Sequence, residues 1–254
     1  TNMQSSLMGL PDSVDLVSLW GGWKNPTEAQ LKDLRDAQQK KGLKAMICFL
    51  VLDMGNGVTP DPTDAEKAQL KEGEKWTHKY WGWSNEQTEA GKAARRAAVV
   101  KYANAICDTI YKYNLDGFDL DAEPYIPQPF HTNKEMWQGD RMNLFIRTMG
   151  KRIGPKAETE EGRKKLLVVD GEPYWFSADM ALYFNYYILQ AYDCRSYADL
   201  DNRLGGLVVQ FSSKQSEEEI AKKLIVTENF EAHSGTGGVT FTTRDGKKVP
   251  SYIG

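Results

Sequence analysis

Residues 115–124, LDGFDLDAEP, constrain the fold more than any other stretch of the chain. Alternate side chains of a β-strand share one face, and here one face carries three acids, Asp119, Asp121 and Glu123. The opposite face is apolar, with Phe118, Leu120 and Ala122. Pro124 has no N–H to donate, so it ends the strand. The pattern predicts a buried strand on which crowded carboxylates raise one another's pKa values.

Two ordinary interpretations of this acidic strand are weaker. A solvated surface strand would not carry Leu115, Phe118 and Leu120. A calcium loop requires polar, turn-forming spacers between its acids, and Leu120 and Ala122 do not fit. Clustered carboxylates with perturbed pKa values mark functional sites, and a general acid must hold a proton near pH 7. A catalytic or metal-binding role is therefore favoured.

Apolar strand runs alternate with helical stretches along the chain, which indicates an α/β fold with a parallel sheet. The predicted strands cover residues 14–20, 44–52, 115–124, 165–169, 186–191 and 224–227. The predicted helices cover residues 27–41, 86–113, 133–152, 177–184, 196–212 and 216–223, with a short one from Thr63. A hairpin is predicted at 239–249. Polar and aromatic residues follow the strands, as on the catalytic face of a (β/α)₈ barrel.

The stretch DGFDLDAE resembles the D-G-x-D-x-D-x-E signature on strand four of glycoside hydrolase family 18, at every fixed position. Gln190-Ala-Tyr-Asp resembles the strand-six motif of the same family. Within that family, the residues of these motifs are most similar to those of endo-β-N-acetylglucosaminidases of the endoglycosidase H/F type. The resemblance implies a (β/α)₈ TIM barrel in which the six strands are numbers two to seven. It implies one catalytic domain over 1–254, with a first strand expected before Thr1 and a last one after Gly254.

The resemblance also implies a mechanism in which the substrate's own 2-acetamido oxygen attacks the anomeric carbon. Glu123 would protonate the glycosidic oxygen, and Asp121 would orient the acetamido N–H. Asp119 would tune Asp121, and Tyr192 would donate its hydroxyl to the acetamido oxygen. Gln190 would share a strand face with Tyr192. No metal or other cofactor is needed for this chemistry, and the three histidines have no metal-ligand spacing.

Several aromatic and acidic residues beyond the strands are candidates for binding sugar. They are Trp23, Trp81, Tyr125, Trp175 and Glu228. The alternative to sugar binding is a core position for Trp175, as for Trp20, and a structural salt bridge for Glu228. Trp23 and Trp81 are the better stacking candidates, because they flank glycine and polar residues.

The implied partner is an N-linked glycan or glycoprotein, with a chitinase or a non-catalytic chitinase-like protein as alternatives. A net charge of −3 gives no reason to expect nucleic-acid binding. The sequence contains no run of 18 apolar residues, so no membrane span is predicted. Three cysteines at wide spacing do not form a disulfide framework. A monomer that is secreted, periplasmic or on the cell surface is expected.

Overall fold

Six parallel strands form one curled sheet, in the order β1-β2-β3-β4-β5-β6. The computed structural model describes residues 6–123, 135–233 and 235–253. The strands of this sheet are β1 (Leu16–Trp20), β2 (Lys44–Leu50), β3 (Gly117–Ala122), β4 (Leu166–Gly171), β5 (Tyr186–Gln190) and β6 (Leu224–Thr227). A separate antiparallel pair consists of β7 (Thr240–Thr242) and β8 (Lys248–Pro250). The predicted fold class, an α/β barrel represented by six of its strands, is confirmed.

Helices connect the strands of the main sheet. They are α1 (Glu28–Lys41), α2 (Asp64–Ala68), α3 (Trp76–Trp81), α4 (Glu89–Lys112), α5 (Arg141–Gly150), α6 (Glu160–Lys164), α7 (Tyr197–Phe211), α8 (Glu217–Lys222) and α9 (Phe230–His233). Within the described residues, no helix is long and apolar enough to cross a membrane.

Strand register fixes which side chains share the inner face of the curled sheet. Asp119 lies level with Cys48 on β2 and with Val168 on β4. The outer face packs on the helices in the main hydrophobic core, where Phe118 and Leu120 are fully buried. A smaller hydrophobic cluster lies on the inner face and consists of Met46, Val168 and Ile188. The predicted separation of acids and apolar residues on β3 is confirmed.

Helix ends follow the chemistry of their capping residues. Thr27 and Thr63 begin α1 and α2, each as half of a reciprocal capping box, with Gln30 and Glu66 respectively, which satisfies backbone N–H groups that the first turn leaves unpaired. Gly42 ends α1 in the left-handed conformation, at φ 70°. These boundaries agree with the sequence prediction.

The prediction of a single helix over residues 133–152 is wrong in its described part, residues 135–152. A 3₁₀ turn, Glu135–Trp137, and helix α5 are separated by Gly139, which adopts a φ of 63°. A left-handed residue cannot continue a right-handed helix, and glycine adopts that conformation without steric cost. The helix predicted for residues 177–184 is present as a 3₁₀ helix, Ala178–Tyr183.

Helix α7 continues through Gly205 and Gly206, although two glycines weaken a helix interior. Its buried face supplies the compensation, because Leu207 and Phe211 are fully buried. The predicted helix over 196–212 is confirmed.

Gly117 begins β3 where the neighbouring backbone is too close for a side chain. A Cβ atom at this position would lie 2.1 Å from the carbonyl oxygen of Leu166 on β4. The glycine that precedes the acids is therefore required for β3 and β4 to pair in this register. That register sets which residues of β4 face the acids.

Candidate active site

The acids of β3 extend from the buried interior of the sheet to its carboxyl edge. Asp119 is 0% exposed, Asp121 is 3% exposed, and Glu123 is half-buried just beyond the end of the strand. The three therefore form a row that leads outward, with Glu123 as the accessible member. This accords with the strand alternation predicted from the sequence.

Asp119 is held by β1 and β2. Its Oδ2 accepts a short hydrogen bond from the Ser18 hydroxyl, and the Cys48 thiol also bonds to it. Within the described part of the chain its Oδ1 has no hydrogen-bond partner. Burial raises the pKa of Asp119 to about 6, against the opposing effect of the Ser18 and Cys48 bonds. Burial, and then Asp119, raise the pKa of Cys48, so the thiol remains protonated and can donate.

Asp121 has the most strongly shifted pKa of the row. Burial raises it to about 8, and the charges of Glu123, Asp170 and Asp119 and a hydrogen bond with Glu123 add to the shift. Asp121 therefore holds a proton at neutral pH and hydrogen-bonds to Glu123. Its Oδ1 is buried and has no hydrogen-bond partner among the described residues. A buried acceptor without a donor is costly in a native protein, so Oδ1 is suited to accept an N–H from a bound molecule.

Asp170 completes the acidic cluster, and the sequence analysis did not identify it as a site residue. The register of β3 and β4 places it level with Asp121. Burial raises its pKa to about 7, with Asp119 as the next contribution, while bonds from the Gly171 N–H and the Gln190 amide lower it. Asp170 lies two positions after Val168 and therefore on the same face of β4. The sequence contains this spacing, but only the pairing of β4 with β3 shows that this face is the one with the acids.

Gln190 and Tyr192 both lie near the acids, as predicted. Burial raises the pKa of Tyr192, followed by the charges of Asp170, Asp121 and Glu123, so the phenol stays protonated and can donate. The ring is 41% exposed. Gln190 donates to Asp170 and ends β5 on the same cavity as Glu123.

The turn that carries Tyr192 is fixed from two sides. Arg203 on α7 donates from Nη1 to the Tyr192 carbonyl (3.3 Å) and is itself held by Asp199 through two bonds. The N–H of Asp193 donates to Glu228 Oε1 at 3.2 Å. Asp193 adopts a φ of 54°, so these contacts maintain an uncommon backbone conformation that places Tyr192 at the edge of the sheet.

A cavity of about 570 Å³ opens beside Glu123, at the carboxyl ends of β4 and β5. Its lining is largely polar: Glu123, Gly171, Glu172, Tyr174, Leu189, Gln190, Asn202, Arg203 and Gly206. The volume lies within the range of ligand-binding pockets and has room for a few sugar units. Gly171 has a φ of 91°, and a Cβ there would lie 3.2 Å from Glu123 Cγ, so glycine leaves room for the Glu123 side chain.

The expected sugar-stacking role of Trp81 is not supported by its position. Trp81 is 4% exposed and packs in the main core against Tyr102 (ring centroids 5.5 Å apart), with Nε1 bonded to the Thr59 hydroxyl. Helix α3 turns this indole inward, so no ring face is open to a sugar. Trp23 is half-buried and lines a separate groove with Tyr80 and Tyr113. The structure does not bring either tryptophan to the Glu123 cavity.

The other candidates differ in how accessible they are. Trp175 is 46% exposed after β4, and Trp20, for which a core position was open, is 67% exposed. By register Trp20 shares the inner face with Asp119. Glu228 bonds to two backbone N–H groups and to the Ser251 hydroxyl, which is a structural role. Tyr125 lies outside the described residues. The sugar-binding roles of Trp175 and Tyr125 stay predictions.

The shifted pKa of Asp121 predicts how stability depends on pH. A carboxyl with a pKa near 3.8 when unfolded and about 8 when folded stabilises the fold fully below pH 4, and this contribution is lost as the pH rises through 8. Asp121→Asn should therefore raise the unfolding temperature relative to wild type by an amount that grows between pH 5 and pH 8. We expect several degrees at pH 8, since 1 kcal/mol corresponds to roughly 2–4 °C in a chain of this size.

Thermal melts of both proteins from pH 5 to pH 8 measure this difference. Asp61→Asn is the matched control, because its side chain is 98% exposed, and its difference from wild type should not change with pH. A constant difference for Asp121→Asn would contradict the buried, protonated state of this acid.

A curled sheet of parallel strands, with an acidic row leading to a cavity at its carboxyl edge, is the arrangement typical of barrel glycoside hydrolases. The chain belongs to glycoside hydrolase family 18: the model described as "Glycoside hydrolase family 18, BT1044-like" matches residues 1–254. The family resemblance predicted from the D-G-x-D-x-D-x-E stretch is confirmed.

Three solved structures are similar to this chain. A selenomethionine Glu-to-Gln variant of BT1044 is 31% identical, with a TM-score of 0.69 over 96% of this chain and 67% of that one. An endo-β-N-acetylglucosaminidase from Cordyceps militaris is 20% identical, with a TM-score of 0.51 over 88% of this chain and 60% of that one. A chitinase from Bacteroides thetaiotaomicron is 16% identical, with a TM-score of 0.50 over 88% and 61%.

These comparisons differ in what they support. At their low identities, the Cordyceps and chitinase structures show the fold alone. This chain spans between 60% and 67% of the lengths of the three proteins. No curated protein matches the sequence. Family membership places the chain in a family of glycoside hydrolases, and its own activity and substrate are inferred from the site.

Proposed function

We propose that the protein is an endo-β-N-acetylglucosaminidase that hydrolyses the N,N'-diacetylchitobiose core of N-linked glycans by substrate-assisted retaining catalysis. The observation that carries this proposal is Asp121 Oδ1, a buried acceptor without a partner in the described chain, on the acid that hydrogen-bonds to Glu123. A 2-acetamido N–H would satisfy that oxygen. The sugar at the cleaved bond is therefore an N-acetylhexosamine.

The proposed reaction uses Glu123 and Asp121 in different roles. Glu123 gives a proton to the glycosidic oxygen as that bond to the anomeric carbon breaks. The acetamido carbonyl oxygen attacks the same carbon, and the electron pair of the breaking bond leaves with the protonated oxygen. Asp121 stabilises the resulting oxazolinium ion by accepting a hydrogen bond from the N–H of that ion. Water then opens the ring and returns a proton to Glu123. An attached nucleophile has a high effective molarity, which favours this route.

The neighbouring groups support these roles. Tyr192 can donate to the acetamido oxygen, because its pKa is raised by burial and by the acids. Asp119 is 0% exposed, so it cannot reach an anomeric carbon and acts on Asp121 through charge alone. Asp170 is held by the Gly171 N–H at 2.6 Å and by Gln190, which makes it a further tuning group rather than a nucleophile.

The cavity favours a branched glycan over a chitin chain. Chitin presents many identical sugars, and a groove for it needs a series of aromatic platforms. Among the described residues, the lining beside Glu123 contains one aromatic residue, Tyr174, together with acids, amides and Arg203. Polar groups of this kind suit the varied hydroxyls of a mannose arm. A chitinase remains the alternative, since Trp20 and Trp175 are exposed aromatic surfaces near the same edge.

A non-catalytic sugar-binding protein is the other alternative. Such members of the family have usually lost the catalytic glutamate, and Glu123 is present and accessible in this chain. N-linked glycans lie on proteins outside the cytoplasm, so the proposed activity implies a secreted, periplasmic or cell-surface location. We propose that the protein acts there as a monomer.

The substrate prediction can be tested by offering the full-length protein a high-mannose glycoprotein and a chitin oligomer in parallel. We expect the glycoprotein to lose all but one N-acetylglucosamine at each site, because cleavage falls between the two core sugars, while the oligomer stays intact. Mass spectrometry of both products measures this. Cleavage of the oligomer with the glycoprotein unchanged would favour a chitinase, and binding without cleavage of either would favour the non-catalytic alternative.

A further inference from the structure

A second cavity, of about 280 Å³, lies outside the acidic site, and we call it the basic cavity. The side chains that matter for its chemistry are Lys75, His78, Trp83, Arg95, Glu135 and Arg141. It stands at the same end of the sheet as Glu123. The Met136 N–H donates to Leu52 O just after β2 (2.9 Å), and the Glu135 N–H donates to Asp53 (3.3 Å).

The one carboxylate among these side chains is already neutralised. Glu135 accepts from Lys75 Nζ at 3.0 Å, bonds to His78 Nε2 at 2.8 Å and accepts from the Met54 N–H at 3.1 Å. Burial opposes its ionisation, but these bonds more than offset burial and lower the pKa of Glu135 to about 2. Glu135 is thus a charged group whose partners are Lys75 and His78.

Two guanidinium groups remain without a carboxylate partner. Arg95 is 6% exposed and donates from Nη1 to the carbonyls of Ser84 and Glu86 (2.6 and 2.7 Å). Arg141 donates to the Glu135 carbonyl (2.8 Å) and stacks over Trp83, 4.8 Å from its ring centroid. Within residues 6–123, 135–233 and 235–253, neither arginine forms a salt bridge.

Nearby sequence does not offer a missing acid. Asp140, the closest other carboxylate in sequence to Arg141, pairs with Arg96 at 2.5 Å. Residues 124–134, PYIPQPFHTNK, contain neither aspartate nor glutamate. Burial, and then the charge of Arg95, lower the pKa of Arg141, while the charges of Glu135 and Asp140 oppose this. The two like charges are therefore close together, and an anion between them would relieve their repulsion.

We propose that the basic cavity binds the acidic group of a sugar, a carboxylate or a sulfate, carried on an arm of the glycan. Guanidinium groups recognise planar and tetrahedral oxyanions through paired N–H donors, and half-buried positions reduce screening by salt. The ligand is taken to be a sugar because this glycoside hydrolase has its catalytic cavity at the same end of the sheet. The proposal rests on the proposed function in that respect alone.

Calorimetric titration of the full-length protein tests this proposal with two monosaccharides, the methyl glycoside of N-acetylneuraminic acid and N-acetylglucosamine 6-sulfate. Neither contains the core linkage, so binding is measured independently of hydrolysis. We expect saturable binding of at least one. Arg141→Gln should weaken it by roughly tenfold or more, because a hydrogen bond to a charged group is lost. Arg141→Lys keeps the charge without the fork and should weaken it by a smaller factor.

Arg147→Gln is the matched control, since it removes the same charge from an exposed position on α5 and should change binding less than about twofold. A preference for the first sugar assigns the cavity to carboxylates, and a preference for the second assigns it to sulfates. Absence of saturable binding to both, binding unaffected by either Arg141 variant, or equal binding of neutral methyl mannoside would overturn the proposal. Core cleavage can succeed or fail in each case, so the two proposals are separable.

Discussion

Replacing Glu123 by Gln is expected to lower glycan hydrolysis by about 10²–10⁴-fold, the usual contribution of a general acid. The amide keeps the size and the hydrogen-bonding capacity of the carboxyl but cannot deliver a proton to the glycosidic oxygen. Glu123 is the member of the acidic row that opens on the 570 Å³ cavity, whereas Asp119 and Asp121 are buried behind it. Glycan binding should change little.

The measurement is a comparison of kcat and Kd for a labelled high-mannose glycan, with binding followed by calorimetry. Glu172→Gln is a control for the loss of another carboxylate from the same cavity, and its effect on kcat should stay below about tenfold. Turnover near the wild-type rate by Glu123→Gln would show that Glu123 is not the proton donor, and it would contradict the proposed mechanism.

The acidic row could be derived from the sequence because it depends on local periodicity. A strand with period two separates Asp119 and Asp121 from Phe118 and Leu120 whatever the rest of the chain does. The capping boxes of Thr27 with Gln30 and of Thr63 with Glu66 are equally local, because each joins residues three positions apart. Each of these features is encoded within a few neighbouring residues, so no knowledge of strand order was needed.

The parts of the site that could not be derived depend on contacts between distant segments. Asp170 becomes a neighbour of Asp121 through the register of β4 on β3, which one sequence does not state. Trp81 has the glycine and polar neighbours of an exposed residue, but α3 buries it against Tyr102, 21 positions later in the sequence. Local composition cannot distinguish a tryptophan on a binding surface from one that a helix turns into the core.

The basic cavity illustrates the same limit. Lys75, Arg95 and Arg141 lie in three different segments, and in sequence each is an ordinary charge on a helix or loop. Their role becomes visible only after folding. Glu135 pairs with Lys75 and His78, and neither Arg95 nor Arg141 has an acidic partner among the described residues. Net charge over the whole chain conceals such a local excess.

Asp121→Asn is expected to slow formation of the oxazolinium intermediate by about 10²–10³-fold, the range for removal of one preorganised electrostatic contact. An amide at position 121 has no proton to give up, so it cannot acquire the negative charge with which Asp121 stabilises the developing cation. It can still form one hydrogen bond to the acetamido group, so binding should be largely kept. Asp61→Asn, at an exposed side chain, serves as the control and should retain the wild-type rate.

The same variant separates substrate assistance from attack by an enzyme carboxylate. If the acetamido oxygen is the nucleophile, Asp121→Asn should still accept a preformed sugar oxazoline as donor, because the slow step has been bypassed and Glu123 remains to activate the acceptor. Transfer of the oxazoline sugar to an N-acetylglucosamine acceptor, followed by mass spectrometry, measures this. A covalent glycosyl ester trapped on Asp121 of the wild type would contradict the mechanism, since Asp121 would then be the nucleophile and its Oδ1 the attacking atom rather than the acceptor of an N–H.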